Sequence, residues 1–230
     1  MHQEHLTKET ALSLQLFFHP FSSYSQKALI ALYENATPFA PRKLSPDEPA
    51  TGAEFAARWP IGRFPILVDG DQTILEATAV IEYLDALHPG AVRFVPQDAR
   101  AAVDVRMMDR VFDNYVHAPV QKLVFDALRA PEARDAQGVA EARAMLDKAY
   151  AWLDERMRLR EWAAAGTFSL ADCAAAPALF YADWSHRIDA RFTHLLAYRA
   201  RLLARPSFAR AVAEARPFRS YFPLGAPDRD

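Results

Sequence analysis

What most limits the fold of this chain is the point at which strand-like sequence stops. From about Pro96 to the last residue, no stretch reads as a strand, whereas the first third mixes strand and helix patterns. Residues 12–18 are rich in Leu and Phe and predict a strand. Residues 23–34 repeat Ser25, Ala28, Leu29 and Leu32 at helical spacing and predict a helix. "TPFAPRKL" is a strand broken by prolines, which suits a sheet edge better than its middle. "AEFAARW" predicts a short helix. In "FPILVDGDQTILEA", two apolar runs flank Asp69-Gly70-Asp71, the pattern of a β-hairpin. A helix follows, with Ala77, Val80, Ile81 and Leu84 on one stripe and Pro89-Gly90 as its stop.

The order β-α-β-(α)-β-β-α implies one parallel right-handed crossover followed by antiparallel strands. This is the thioredoxin arrangement. The expected fold is therefore an α/β N-terminal thioredoxin-like domain with a mixed four-stranded sheet, over residues 12–88, followed by an all-α helical bundle over residues 97–230. "HPGAVRFVP" links the two. In the second half, Val105, Met108, Phe112 and Tyr115 share a helical stripe, and Pro119 is expected to bend or interrupt that helix.

Composition removes several function classes. The formal net charge of the 230 residues is -2, and no basic run interleaves with aromatics, so neither nucleic acid nor an anionic membrane is an expected partner. Cys173 is the single cysteine, which excludes a disulfide framework, a cysteine-based zinc site and a dithiol redox centre. The seven glycines are scattered, so there is no phosphate-cradling loop. The histidines never fall in a metal-binding spacing, and no serine sits in a nucleophile elbow. No metal is expected. The polar start "MHQEHLTKET" lacks a signal peptide's apolar core, and no segment approaches the length of a membrane span, so a cytoplasmic location is expected.

The chemistry-bearing stretch is Ser22-Ser23-Tyr24-Ser25, at the junction of the first strand and the first helix. Such junctions often carry Cys-x-x-Cys, and here both ends of that frame are serine. A serine there is either a helix cap or a hydroxyl donor to an anion at a helix N-terminus.

Four stretches, "SSYSQKALIAL", "GRFPILVDG", "ILEATAVIEYL" and "FSLADCAAAP", together resemble the cytosolic glutathione S-transferase family over nearly the whole chain. The serine run looks most like the serine-type classes, zeta and its bacterial relatives in particular. The resemblance implies that glutathione supplies the sulfur the protein lacks. Ser22 would be the catalytic donor to its thiolate, with Ser23, Tyr24 and Ser25 as rivals in the same loop. A free thiol is only a few per cent ionised at neutral pH, and lowering its pKa by ~2 units needs about 2.7 kcal/mol of differential stabilisation of the anion. A hydroxyl donor and the unpaired N–H groups of a helix start supply parts of that.

The same resemblance makes Pro65 a cis proline and assigns to Phe64, where the family usually has valine, backbone pairing with the cysteinyl part of glutathione. Glu76-Ala77 would grip the γ-glutamyl end. Glu76 can pair with the α-ammonium, or it is simply a first-turn acid. Ala77 stands where the family has a serine, with Thr78 as a possible substitute donor. Arg63 either reaches the peptide's carboxylates or is a plain surface arginine, and Lys43 is a weaker candidate of that kind. The electrophile pocket is expected between the domains, lined by Phe21 and by Met108, Phe112 and Tyr115, although a stripe of that kind is also what a core or a dimer interface looks like. Ser169 and Asp172 form a capping box of structural use only, and Cys173 reads as buried packing.

The implied activity is glutathione addition to an apolar or aromatic electrophile by a homodimer, a detoxifying enzyme with glutathione as co-substrate. A glutathione-dependent isomerase of the maleylacetoacetate kind is an alternative, against which Trp59 and Ala77 speak. A non-catalytic interaction protein on the same fold is the other.

Overall fold

The computed structural model describes residues 14–230. The first two residues of the expected strand, and the polar start read as lacking a signal peptide, lie outside the described residues.

Four strands form one sheet in the order β2-β1-β3-β4, namely β1 Leu14–Phe18, β2 Ala40–Lys43, β3 Ile66–Asp69 and β4 Gln72–Leu75. β1 pairs in parallel with β2 and antiparallel with β3, which pairs antiparallel with β4. The proline-broken strand is at the edge, as its missing N–H requires. Gly70 takes φ +55 in the two-residue turn between Asp69 and Gln72, a conformation glycine adopts without strain. Helices α1 (Ser23–Glu34), α2 (Pro49–Arg58) and α3 (Ala77–Leu87) complete this half. Pro49 opens α2 a turn earlier than the sequence pattern indicated, at a position where its missing N–H costs nothing.

Between α3 and the next helix the chain runs without helix or strand, but it is not a loose tether. The Asn35 side chain brackets the backbone of Val92, accepting from its N–H at 2.8 Å and donating to its carbonyl at 2.9 Å. Gly90 lies so close that a Cβ there would sit 2.3 Å from the Asn35 side chain. Phe94 is fully buried in the helical core, its N–H held by Asp85 at 2.8 Å.

The second half is helical throughout: α4 Ala99–Val111, a π-helical segment Phe112–His117, α5 Ala118–Ala127, α6 Ala136–Met157, α7 Leu170–Ser185, α8 Thr193–Ala204 and α9 Pro206–Ala215, with short 3-10 turns at Pro131–Ala133 and Arg216–Tyr221. Pro119 does not break the long helix. The wider π turn sits directly before α5, whose second residue is this proline. That turn also corrects the expected stripe. With the register shifted, Val116 and His117 point inward while Tyr115 is about half exposed.

α7 is buried along almost its entire length and forms the spine of the core. Its start is held by the Asp172 carboxylate, which accepts from the N–H groups of Ser169 and Ala163 and from the Tyr198 hydroxyl. Burial nonetheless raises the Asp172 pKa to about 6. Cys173 beside it is buried, and burial pushes its thiol well above the ordinary range, which leaves it inert.

The halves are joined by a charged cluster. The fully buried Lys27 ammonium on α1 contacts Asp109 at 2.6 Å, Asp113 at 2.9 Å and the Thr78 hydroxyl at 2.9 Å. Arg110 closes the cluster from its exposed side, at 2.5 Å from Asp109 and 2.7 Å from Asp113. Burial outweighs these cations at Asp113 and raises its pKa.

Candidate functional site

The site begins with a turn. His19-Pro20-Phe21-Ser22 closes through a hydrogen bond from the Ser22 N–H to the His19 carbonyl at 3.0 Å, with proline at the second position, where its fixed φ suits a turn. Ser22 is then the N-cap of α1. Its backbone is extended, and its Oγ accepts from the Ser25 N–H at 3.3 Å. Because that bond uses an oxygen lone pair, the Ser22 proton remains free to donate. The cap and donor alternatives weighed for Ser22 are therefore compatible.

The turn is pinned by the helical half. The buried Gln26 amide donates to the Pro20 carbonyl at 3.0 Å and to the Tyr181 hydroxyl at 3.1 Å, and that hydroxyl donates to the Phe21 carbonyl at 2.8 Å. Ser25 is buried in this arrangement. The ring of Tyr24 lies parallel to that of His117, with centroids 4.2 Å apart, and burial, reinforced by the Asp113 charge, raises its phenol pKa.

A groove of about 510 Å³ opens at this point, lined by Ser22, Ser23, Tyr24, Gly62, Arg63, Phe64, Pro65, Glu76 and Ala77, with Gln121 and Phe125 from α5. It brings together Ser22, Ser23, Arg63, Phe64, Pro65, Glu76 and Ala77, whereas the weaker candidates Lys43, Ser25 and Thr78 do not line it. The Phe64–Pro65 bond is cis. Arg63 lays its guanidinium over the Phe125 ring at 5.7 Å, so it bridges the two halves. Glu76 is the N-cap of α3 with φ 67 and ψ 124, a sparsely populated backbone state for a residue with a side chain. Thr78 is committed to Lys27 and Asp109 in the charged cluster, so its hydroxyl does not stand in for the serine missing at Ala77.

A second, apolar pocket of about 210 Å³ adjoins the groove and shares Ser22, Ser23, Gln121 and Phe125 with it. Phe21, His117, Val120, Val124, Leu128, Tyr181, Tyr221, Phe222 and Pro223 supply the rest of the wall. Phe21 lines it as expected. Met108 and Phe112 do not, since both are fully buried in the helical core, and Tyr115 contributes to neither cavity. The rest of this cavity's lining comes mainly from α5, α7 and the segment after α9. No single helical stripe contains these residues, so periodicity alone had no signal for them. A hollow of about 640 Å³ against the connection after α6 is larger, but it shares no residue with the serine loop.

Among the described residues, no group of acidic, histidine or cysteine side chains is arranged to hold a metal, and no helix is long and apolar enough to cross a membrane.

What these cavities can do is bind a charged ligand against hydroxyls and helix N-termini on one side and an apolar one on the other. The chain is 29% identical over 174 residues to a probable maleylacetoacetate isomerase of Vibrio cholerae, covering 72% of this chain and 78% of the relative. It is 29% identical over 212 residues to glutathione S-transferase 3 of Zea mays, covering 87% and 93%. Among solved structures, a glutathione S-transferase of Methylobacterium radiotolerans, crystallised with glutathione sulfonate, superposes with a TM-score of 0.74 at 26% identity over 86% of this chain and 94% of that one. The sheet-bearing half, residues 16–91, matches the family model of the glutathione S-transferase N-terminal domain. The helical half, residues 116–206, matches that of the C-terminal domain, and the chain belongs to the glutathione S-transferase family.

Proposed function

We propose that this protein is a serine-type glutathione transferase that holds glutathione in the groove, stabilises its thiolate with Ser22 and adds it to an apolar or aromatic electrophile in the adjoining pocket. The observation that carries this reading is the position of the Ser22 hydroxyl at the seam of a polar groove and an apolar pocket, at the N-terminus of α1. A thiolate at that seam has a hydroxyl donor and the free N–H groups of a helix start on one side, and a reacting partner within reach on the other. Ser22 acts as a donor and not as a nucleophile, since an alcohol stays protonated at neutral pH.

The peptide's remaining groups have matching partners. The Phe64 backbone suits the cysteinyl unit, the Glu76 carboxylate suits the α-ammonium, and the Ala77 N–H at the start of α3 suits the α-carboxylate. Arg63 suits the second carboxylate. The Vibrio cholerae relative makes an isomerase the second reading: addition of the same thiolate followed by its release returns a rearranged substrate instead of a conjugate. A homodimer in the cytoplasm is part of the proposal, by analogy with the family.

Titration with glutathione by calorimetry, in two buffers of different ionisation heat, tests this. Binding with release of close to one proton near neutral pH is the expected result. Binding without proton release would leave a carrier. No binding at millimolar glutathione would mean that the loss of serine at Ala77 reports a lost site and would favour an interaction protein.

A further inference from the structure

Ser22 and Ser23 both line the groove and the apolar pocket; the family resemblance favours Ser22 as the donor and leaves Ser23 a rival. The surroundings of Ser23 give it a role beside Ser22. Its Oγ is hydrogen-bonded to Nε2 of His117, a residue the π turn brings inward from the helical half. The His117 ring is fully buried, is stacked on Tyr24 and has no partner for Nδ1 among the described residues. Burial, with the Lys27 charge adding to it, lowers its pKa to about 3, so the ring is neutral at any ordinary pH.

A neutral imidazole carries one N–H. On Nδ1 that proton would be an orphaned buried donor. On Nε2 it is paired with Ser23, and only a lone pair on Nδ1 goes unsatisfied. Orphaned buried donors are the rarer arrangement, so the proton belongs on Nε2. Nε2–H then donates to the Ser23 oxygen, and the Ser23 proton is left to turn toward the groove.

We infer that His117 is a positioning residue that fixes Ser23 as a second hydroxyl donor, so that two serine hydroxyls, not one, converge on the sulfur anion at the start of α1. This rests on the transferase reading and extends it. Ser22 is a donor because a backbone N–H occupies its oxygen, and Ser23 is one because an imidazole from the other domain occupies its own.

The test is the ionisation of the bound glutathione thiol, read as thiolate absorbance against pH in the wild-type protein and in Ser22→Ala, Ser23→Ala, His117→Phe and His117→Gln. Ser23→Ala is expected to raise the thiol pKa by about one unit, the size of one hydrogen bond to a charged group. His117→Phe, which keeps an aromatic ring under Tyr24 but removes the donor, is expected to reproduce most of that shift. His117→Gln, whose amide can donate again, is expected to restore it, and combining Ser23→Ala with His117→Phe is expected to add nothing. An unchanged thiol pKa in Ser23→Ala overturns the inference, and so does a shift in Ser23→Ala that a folded His117→Phe fails to show. Thermal unfolding of each variant identifies a folding failure, in which case Ser23→Ala decides. A wild-type protein that binds glutathione without ionising it overturns the transferase reading itself, an outcome visible before any variant is made.

Discussion

The groove and the pocket share Ser22, Ser23, Gln121 and Phe125, yet they are built in opposite ways. Most of the groove comes from the sheet-bearing half, and much of it is backbone: a helix start at Ser23, a cis peptide bond before Pro65, a helix start at Ala77. The pocket, apart from Phe21 and the two shared serines, belongs to the helical half and is made of side chains. Backbone groups present the same donors whatever the side chains are. An apolar wall changes shape with each substitution. On the proposed transferase reading, the difference assigns the constant half of a two-substrate reaction to the groove and the variable half to the pocket.

The largest expected effect removes the comparison altogether. Lys27→Met leaves Asp109 and Asp113 facing each other in a buried site with only the half-exposed Arg110 to compensate. Such a loss costs roughly 3–5 kcal/mol, and denaturant unfolding is expected to show it along with damage to both cavities. An unchanged unfolding midpoint would mean that the cluster does not join the halves.

Acid acts on the seam through His117. Its folded pKa of about 3 lies below the ordinary 6.5, so the unfolded chain takes up the proton first. The stability it supports is present above about pH 6.5 and is lost as the pH falls toward about 3. Asp172 works the other way, because its raised pKa of about 6 makes protonation favour the fold between about pH 6 and about 4. The His117 contribution is therefore the difference between the wild-type protein and His117→Phe. The variant's stability is expected to fall less on acidification, and parallel profiles would contradict the burial argument.

Two substitutions sharpen the comparison. Ser22→Ala is expected to lower kcat/KM by roughly 10- to 100-fold through the thiol, with little change in KM for the electrophile. Phe222→Ala opens the pocket wall next to Phe21, Tyr181 and Trp184. It is expected to raise the electrophile KM by roughly 3- to 10-fold while glutathione affinity holds. If Phe222→Ala weakened glutathione binding as much as electrophile binding, the division of labour would fail.

The same division explains what was legible in the sequence. The sheet, its proline-broken edge strand and helix α1 could be read because each depends on neighbours in the chain: a period, a turn dipeptide, a cap, a proline. The groove residues Ser22, Arg63, Phe64, Pro65, Glu76 and Ala77 came instead from the family resemblance, and Gln121 and Phe125 were not read. Of the pocket only Phe21 was read, because Val124, Tyr181 and Phe222 join it only after folding. Reading the stripe of Met108, Phe112 and Tyr115 as lining failed for two separate reasons. The first two residues are the core of their own domain, and a π turn that no local pattern announces rotates the third outward. His117 went unnoticed for the same cause, since a lone histidine in a helix carries no motif.

The backbone of Glu76 has a consequence for how this chain changes over time. A residue with a side chain at φ 67 gives up about 1 kcal/mol that glycine would not. Glu76→Gly is therefore expected to make the protein slightly harder to unfold, while removing the carboxylate proposed for the α-ammonium of glutathione. Selection for durability alone would drift toward glycine there. A lineage of such proteins that had given up glutathione for some other task would be free to make that change, so residue 76 is a position at which drift would record the loss of the old substrate.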